Sequence, residues 1–183
     1  MTLKGYAMAK KRSLHFIETE GGPFILLPME HKKSWNGVGD EDEGIPSDYD
    51  KAEKFESTVG VLDLGKGQAL VLGTAEVTAF WSLDDGGVFI QRIMGDEDAD
   101  VIKAVERALA ETKGWKRSKV RFDPGAGKLA LFDSACSYAD ADEDERLQIT
   151  LARGTYGLET RTVKRGDDLE VELVRLRATP TSG

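Results

Sequence analysis

The side chains of this chain that could carry out chemistry are two histidines, one cysteine and a large stock of carboxylates. His15 lies in a run of apolar strand formers and His31 in a lysine-rich turn, and neither has a second ligand at metal spacing. Cys136 follows Phe132-Asp133-Ser134-Ala135, and a thiolate nucleophile there would need a histidine base brought from far along the chain, so a partly buried structural cysteine is expected. Gly65-Lys66-Gly67 lacks the third glycine and the following helix of a dinucleotide fold, and no Gly-Lys-Ser/Thr phosphate loop exists, so these glycines read as a turn. No metal, cofactor or catalytic set is expected.

The carboxylates cluster in three places: Asp40-Glu41-Asp42-Glu43, Asp96-Glu97-Asp98-Ala99-Asp100, and Asp140-Ala141-Asp142-Glu143-Asp144-Glu145. A calcium loop of the EF-hand type needs glycine at its sixth place and a bidentate glutamate at its twelfth. Counted from Asp40 these places hold Ile45 and Lys51, from Asp96 they hold Val101 and Arg107, and from Asp140 they hold Glu145 and Leu151. All three runs fail that test. What remains is potential: the net charge is −8, and residues 1–12 hold four basic and no acidic groups, leaving 21 basic against 33 acidic in the other 171 residues. Such a body repels nucleic acid and anionic lipid and steers in a basic partner.

The elements that must position these groups are mostly short strands. The run Gly21-Gly22-Pro23-Phe24-Ile25-Leu26-Leu27-Pro28 predicts a strand buried on both faces, and Ser13 to Glu20 before it predicts a partner strand across the glycine turn. Val59 to Leu64 and Gln68 to Gly73 predict a hairpin, as do Lys119 to Asp123 and Lys128 to Asp133 around Pro124-Gly125-Ala126-Gly127. Val88 to Met94 follows the turn Asp84-Asp85-Gly86-Gly87. Arg146 to Leu151 alternates, with Leu147, Ile149 and Leu151 on one face. Thr155 to Lys164 and Leu169 to Ala178 flank Gly166-Asp167-Asp168; the apolar phase switches within the last strand, which predicts a bulge near Leu173.

One segment has helical period: Val101, Ile102, Val105, Ala108 and Leu109 form a stripe over Asp98 to Lys113, with acids at its start and Gly114 as the expected left-handed cap. A shorter helix is expected over Asp48 to Phe55, with Ser47 as its cap. The class is therefore α+β: about eight to ten short, mostly antiparallel strands packed with one principal amphipathic helix. A chain of 183 residues buries roughly 70% of its unfolded surface, enough for one core. A single domain is expected over residues 14–178, between a basic, flexible tail at 1–13 and a short tail at 179–183. One cysteine, no secretory signal and no run of apolar residues long enough to span a bilayer predict a cytoplasmic protein that does not enter membranes.

Among the aromatics, Trp35 follows the buried strand and precedes the longest polar loop, Asn36 to Pro46, so it reads as a core lid or as an anchor for a partner. Trp81, Phe80 and Trp115 adjoin turns and read as packing residues. Tyr49, between Asp48 and Asp50, is an aromatic rimmed by acids, an arrangement suited to an interface hot spot.

The order and spacing of Phe16 to Pro28, Trp35-Asn36-Gly37, Asp48-Tyr49-Asp50-Lys51-Ala52, Ala69-Leu70-Val71-Leu72-Gly73, Gly86-Gly87-Val88, Leu131 to Ala135, Gly154-Thr155-Tyr156 and Val174-Arg175-Leu176 resemble the immunity protein 21 family of bacterial polymorphic toxin systems. The likeness spans residues 14–177; the acidic stretch at Asp40 to Glu43 and the lysine-bearing stretch Glu30 to Lys33 depart from it. The resemblance maps the family's tryptophan-glycine feature onto Trp35 and Gly37. It implies an antidote, without catalytic activity, that binds and blocks a cognate toxin domain.

Many such toxins are nucleases, whose clefts are basic, and an acidic inhibitor can fill such a cleft by mimicking nucleic acid. The partner-binding residues expected on this view are Trp35, Asp40, Glu41, Asp42, Glu43, Tyr49, Asp140, Asp142 and Glu143. Two other classes stay open on the sequence: a small-molecule-binding module with an apolar pocket, and a hydrolase using scattered carboxylates.

Overall fold

A computed structural model of the chain describes residues 14–73, 75–125 and 127–179. The tails expected at 1–13 and 179–183 lie outside the described residues except for Thr179, whose N–H donates to the Thr155 carbonyl at 2.8 Å.

The described residues form eleven strands and two α-helices: β1 (Phe16–Glu18), β2 (Phe24–Pro28), α1 (Tyr49–Glu53), β3 (Val59–Asp63), β4 (Gln68–Leu72), β5 (Val77–Leu83), β6 (Gly86–Met94), α2 (Asp98–Ala110), β7 (Lys116–Phe122), β8 (Lys128–Asp133), β9 (Leu147–Thr150), β10 (Tyr156–Arg165) and β11 (Leu169–Ala178). Two antiparallel sheets result, one of six strands in the order β1-β5-β6-β11-β10-β7 and one of five in the order β3-β4-β2-β8-β9. The class is α+β with one principal helix, as the sequence predicts.

The sheets stack face to face. Phe24, Leu26, Leu70, Leu72, Leu129 and Leu131 of the smaller sheet meet Ile17, Phe89, Phe122, Tyr156, Val174 and Leu176 of the larger in one apolar layer. Both outer faces are covered too. Helix α2 lays Val101, Val105 and Ala108 on Val88, Ile90, Val171 and Leu173 of the larger sheet. Trp35, Ala52 and Ala141, from the segments after β2 and β8, lie on Ile25, Leu27, Val71 and Phe132 of the smaller one. Strand β2 thus has both faces in apolar layers and both edges paired, to β4 and β8, which is why its residues are all apolar.

Three strand expectations are corrected. The segment before the glycine turn does not pair with β2: β1 pairs with β5 in the other sheet, because the two edges of β2 are taken by the apolar strands β4 and β8. The stretch around Pro124 is no hairpin. Strand β7, exposed at all but Phe122, takes the edge of the six-stranded sheet beside β10, whereas β8, buried at four successive residues, takes an interior place between β2 and β9. And β11 has no bulge at Leu173: its register with β10 runs unbroken from Ala178 to Leu169. Its two apolar phases face two different layers, Leu169, Val171 and Leu173 toward α2 and Val174 and Leu176 toward the other sheet. The irregularity in β11 lies on the β6 side, between Glu170 and Val171.

The expected hairpins β3–β4 and β10–β11 form. Val77–Leu83, where Thr78 and Ser82 break the apolar run, is the strand that composition conceals. Helix α2 ends at Ala110, short of Gly114, which nonetheless adopts φ +89°. Side chains finish the helix instead: Trp115 Nε1 donates to the carbonyls of Ala108 and Glu111, and Arg161 donates to those of Ala108 and Lys113.

Candidate partner-binding site

The site is built on the outer layer of the five-stranded sheet, where two irregular segments lie side by side. The first leaves β2 through a 3₁₀ turn at Met29–His31 and reaches α1. The second leaves β8 and runs to β9 through a 3₁₀ turn at Glu143–Glu145.

Trp35 joins them. Its indole is 3% exposed and Nε1 donates to the Ser134 carbonyl at 3.0 Å. Two residues on, Gly37 holds φ +60°, and a Cβ there would lie 2.2 Å from the Ala135 carbonyl oxygen, so the segments touch backbone to backbone. Val38 N–H donates to that same carbonyl at 3.0 Å, and the Gly37 carbonyl accepts the N–H groups of Asp48 and Tyr49 at 2.9 Å each, tying the start of α1 to the contact. Buried Asp48 adds its Oδ2 to the Asn36 N–H at 2.9 Å and its Oδ1 to Lys51. The expected helix shortens to Tyr49–Glu53 and its cap position is Asp48; Ser47, expected as the cap, stands one place earlier and accepts the Asp50 N–H at 3.3 Å.

From this base a tight turn projects. Asp40 and Ile45 exchange main-chain hydrogen bonds of 2.9 and 2.7 Å, and Asp40 Oδ1 accepts the N–H groups of Asp42 and Glu43. Asp40 therefore shapes the turn, and Glu41, Asp42 and Glu43 carry its exposed charge. The turn is flanked by two large apolar side chains in solvent, Val38 at 59% and Ile45 at 37% exposure. Composition hid both inside a polar loop; their only signal was two apolar residues flanking a run of acids.

In the second segment Ala141 is buried against the sheet, which turns Asp140, Asp142 and Glu143 outward. Asp140 accepts the Ser137 hydroxyl at 2.6 Å, and Glu143 lies 3.4 Å from Arg146, whose guanidinium donates to the Tyr138 carbonyl and stacks 4.6 Å from its ring. Among the described residues Asp142 has no side-chain bond of the kind that engages Asp140 and Glu143.

Tyr49 is half-buried beside Gly22, where an added Cβ would come within 3.0 Å of its ring. Burial first, then the charges of Glu53, Asp133 and Asp50, raise its phenol pKa. Asp133, which the sequence reading did not single out, also faces Cys136, whose thiol pKa is raised by burial first and then by Asp133, Glu145, Asp140 and Glu20. A thiol held protonated among carboxylates is the opposite of an activated nucleophile. Asp133 thus faces both Tyr49 and Cys136.

Of the two readings of Trp35, core lid or partner anchor, the structure has the core one, so it leaves the expected contact set. It is a buried support, and its surface is not available to a partner. His15 is exposed ahead of β1, and His31 turns its Nε2 to the Lys66 carbonyl at 2.5 Å, so the two histidines serve different sheets. Among the described residues no group of three or more His, Cys, Asp or Glu could hold a metal ion, and no helix is long and apolar enough to cross a membrane.

No curated protein and no solved structure matches the chain. A family model described as Immunity protein 21 matches residues 15–169, a stretch that takes in β2, the Trp35–Gly37 joint, both acidic segments and α2. By that match the chain belongs to the immunity protein 21 family.

Proposed function

We propose that this protein binds and neutralises a cognate toxin domain by seating its acidic outer layer on a basic surface or active cleft of the toxin. Membership of the family supports an immunity role in a toxin system, with a toxin as the partner. The observation that carries the finer reading is the turn at 38–45: exposed Val38 and Ile45 frame Glu41, Asp42 and Glu43 on a base held rigid by Trp35 and Gly37. Interfaces concentrate their energy in apolar anchors that exclude water, while surrounding charge sets orientation and approach rate. This turn offers both on a preorganised support, which limits the entropy lost on docking.

Tyr49 and the exposed Asp140, Asp142 and Glu143 extend the same surface. A nuclease is the toxin class that fits best, because a phosphate-binding cleft must be basic. The mode is occlusion, so the antidote needs no reaction of its own.

The test is co-expression with the cognate toxin domain, sought in the genes that adjoin this one. The native chain rescues growth, and a Val38→Asp, Ile45→Asp variant, altered only at exposed positions, loses rescue while keeping its unfolding midpoint. Rescue by that variant at native strength would refute the placement of the interface.

A further inference from the structure

The opposite side of the molecule carries a second charged surface of the other sign. We propose that the free edge of β7 and the open half of the six-stranded sheet beside it receive a carboxylate-rich extended strand from a partner polypeptide. Helix α2 covers that outer face over β6 and β11 and reaches Val163 and Arg161 in the second half of β10. Beyond that cover, over the start of β10 and over β7, lies a groove of about 540 Å³ lined by Arg117, Lys119, Arg121, Gly157, Glu159 and Arg177, among others.

Two carboxylates already sit among these arginines. Glu159, 7% exposed, lies 3.1 Å from Arg117 and 3.9 Å from Arg177, and Asp85 lies 3.2 Å from Arg175 and 3.3 Å from Arg177. They show how the face receives an acid. Lys119 and Arg121 have no ion-pair partner among the described residues, so two cations remain uncompensated at the rim.

The edge itself decides the form of the ligand. Among the described residues β7 pairs only with β10, so its other edge takes no strand; Val120 N–H is turned onto Ser118 Oγ at 3.1 Å where the register with β10 shifts, and an added strand would pair on either side of that point. It carries Lys116, Arg117, Lys119 and Arg121 with no acid, and Val120 stands 52% exposed between them. A phosphate would use the cations alone. An added strand uses the cations, the main-chain groups and the apolar contact together.

A second copy of this chain is a poor occupant. Two such edges repel, since each carries Lys116, Arg117, Lys119 and Arg121 and no acid. Like charge along an edge is how it resists pairing with itself. The acidic runs of the described residues are also not extended, since 40–45 is a closed turn and 143–145 a 3₁₀ turn. An acidic strand from another protein removes the charge barrier that stops self-pairing.

The probe is a synthetic peptide of alternating glutamate and valine, titrated by fluorescence anisotropy, with a lysine-valine peptide and inorganic pyrophosphate as comparisons. The acidic peptide is expected to bind, to protect β7 amides from hydrogen exchange, and to weaken about tenfold in the exposed double variant Lys119→Glu, Arg121→Glu. Asp142→Lys on the other side is expected to leave this binding unchanged, which separates this surface from the toxin-facing one. The proposal is overturned by no binding, by binding that ignores the β7 charge reversal, by pyrophosphate competing fully with no β7 protection, or by light scattering that shows the edge occupied in a dimer of this chain.

Discussion

The indole N–H of Trp35 reaches the main-chain carbonyl of Ser134, a residue 99 positions away, at 3.0 Å and in a buried setting. With the Val38 N–H to Ala135 carbonyl bond and the close approach of Gly37, it ties the two acid-bearing segments together. Replacing Trp35 by Phe keeps most of the ring's bulk but leaves the Ser134 carbonyl without its donor, and is expected to cost about 1–2 kcal/mol in urea unfolding. Toxin affinity is expected to fall along with it, although the residue is buried, because the loops lose their common base. Unchanged affinity in a destabilised Trp35→Phe chain would show that the loops hold their shape independently.

Gly37 is the second half of that joint. Its φ of +60° disfavours any Cβ, and the Ala135 carbonyl oxygen occupies the place where one would stand. Gly37→Ala is expected to cost about 2 kcal/mol or more, measured by urea unfolding. Gly44→Ala is the internal comparison: it shares a positive φ of 72° but meets nothing within 4 Å, so it carries backbone strain alone and is expected to cost less.

Reversing Asp140, Asp142 and Glu143 to lysine tests the charge on the second segment. Stability is expected to change by no more than about 1 kcal/mol, chiefly from the Ser137–Asp140 hydrogen bond. Association with the toxin is expected to slow about tenfold at low salt, with the gap closing as ionic strength rises. Stopped-flow rates over a salt series read this directly, and superimposable series for native and variant chains would remove the segment from the interface.

Arg161 sets an acid limb to stability. Its hydrogen bond to Glu111, then its charge, lowers the Glu111 pKa. A carboxyl lowered in the folded state contributes fully above the ordinary glutamate range, and that contribution is lost as pH falls through its folded value. Glu111→Gln is therefore expected to flatten the pH dependence of the unfolding midpoint on the acid side and to leave the neutral side parallel to the native curve. Arg161→Ala is expected to cost about 1–3 kcal/mol, since it also removes the donor to the Ala108 and Lys113 carbonyls.

The Cys136 thiol, raised by burial and by the surrounding carboxylates, is expected to alkylate with iodoacetamide more slowly at neutral pH than a free cysteine. The folded chain holds that proton more tightly than the unfolded one, so stability falls as pH rises past the ordinary thiol range. Asp133→Asn removes the largest of the charges and is expected to move the alkylation profile to lower pH. A native profile no higher than that of free cysteine contradicts this reading of the site.

Local chemistry was legible wherever one segment decides its own state. The double-sided burial of β2 followed from its unbroken apolar run, α2 from its stripe, and the β3–β4 and β10–β11 hairpins from their turns. The acidic segments were legible as exposed connections, and family membership was legible in the order of motifs along the chain. Partner choice among strands was not. Which edge β1 or β7 takes depends on whose faces are already covered, and that is a property of all the strands at once.

The same limit ran through the site. Sequence placed Trp35 beside the polar loop but could not say which way the indole turned, because the answer is a carbonyl supplied by the segment after β8. It counted Asp40 and Glu43 as equals, whereas the turn spends the Asp40 carboxylate on its own N–H groups and leaves Val38 and Ile45 in solvent. By itself, then, the sequence determined the charge, the class, the β3–β4 and β10–β11 hairpins and the kinship, since these rest on composition, period and near neighbours. Only the tertiary structure decided which acids face outward and which residues anchor them, because long-range hydrogen bonds and close backbone contact assign those roles after the sheets have stacked.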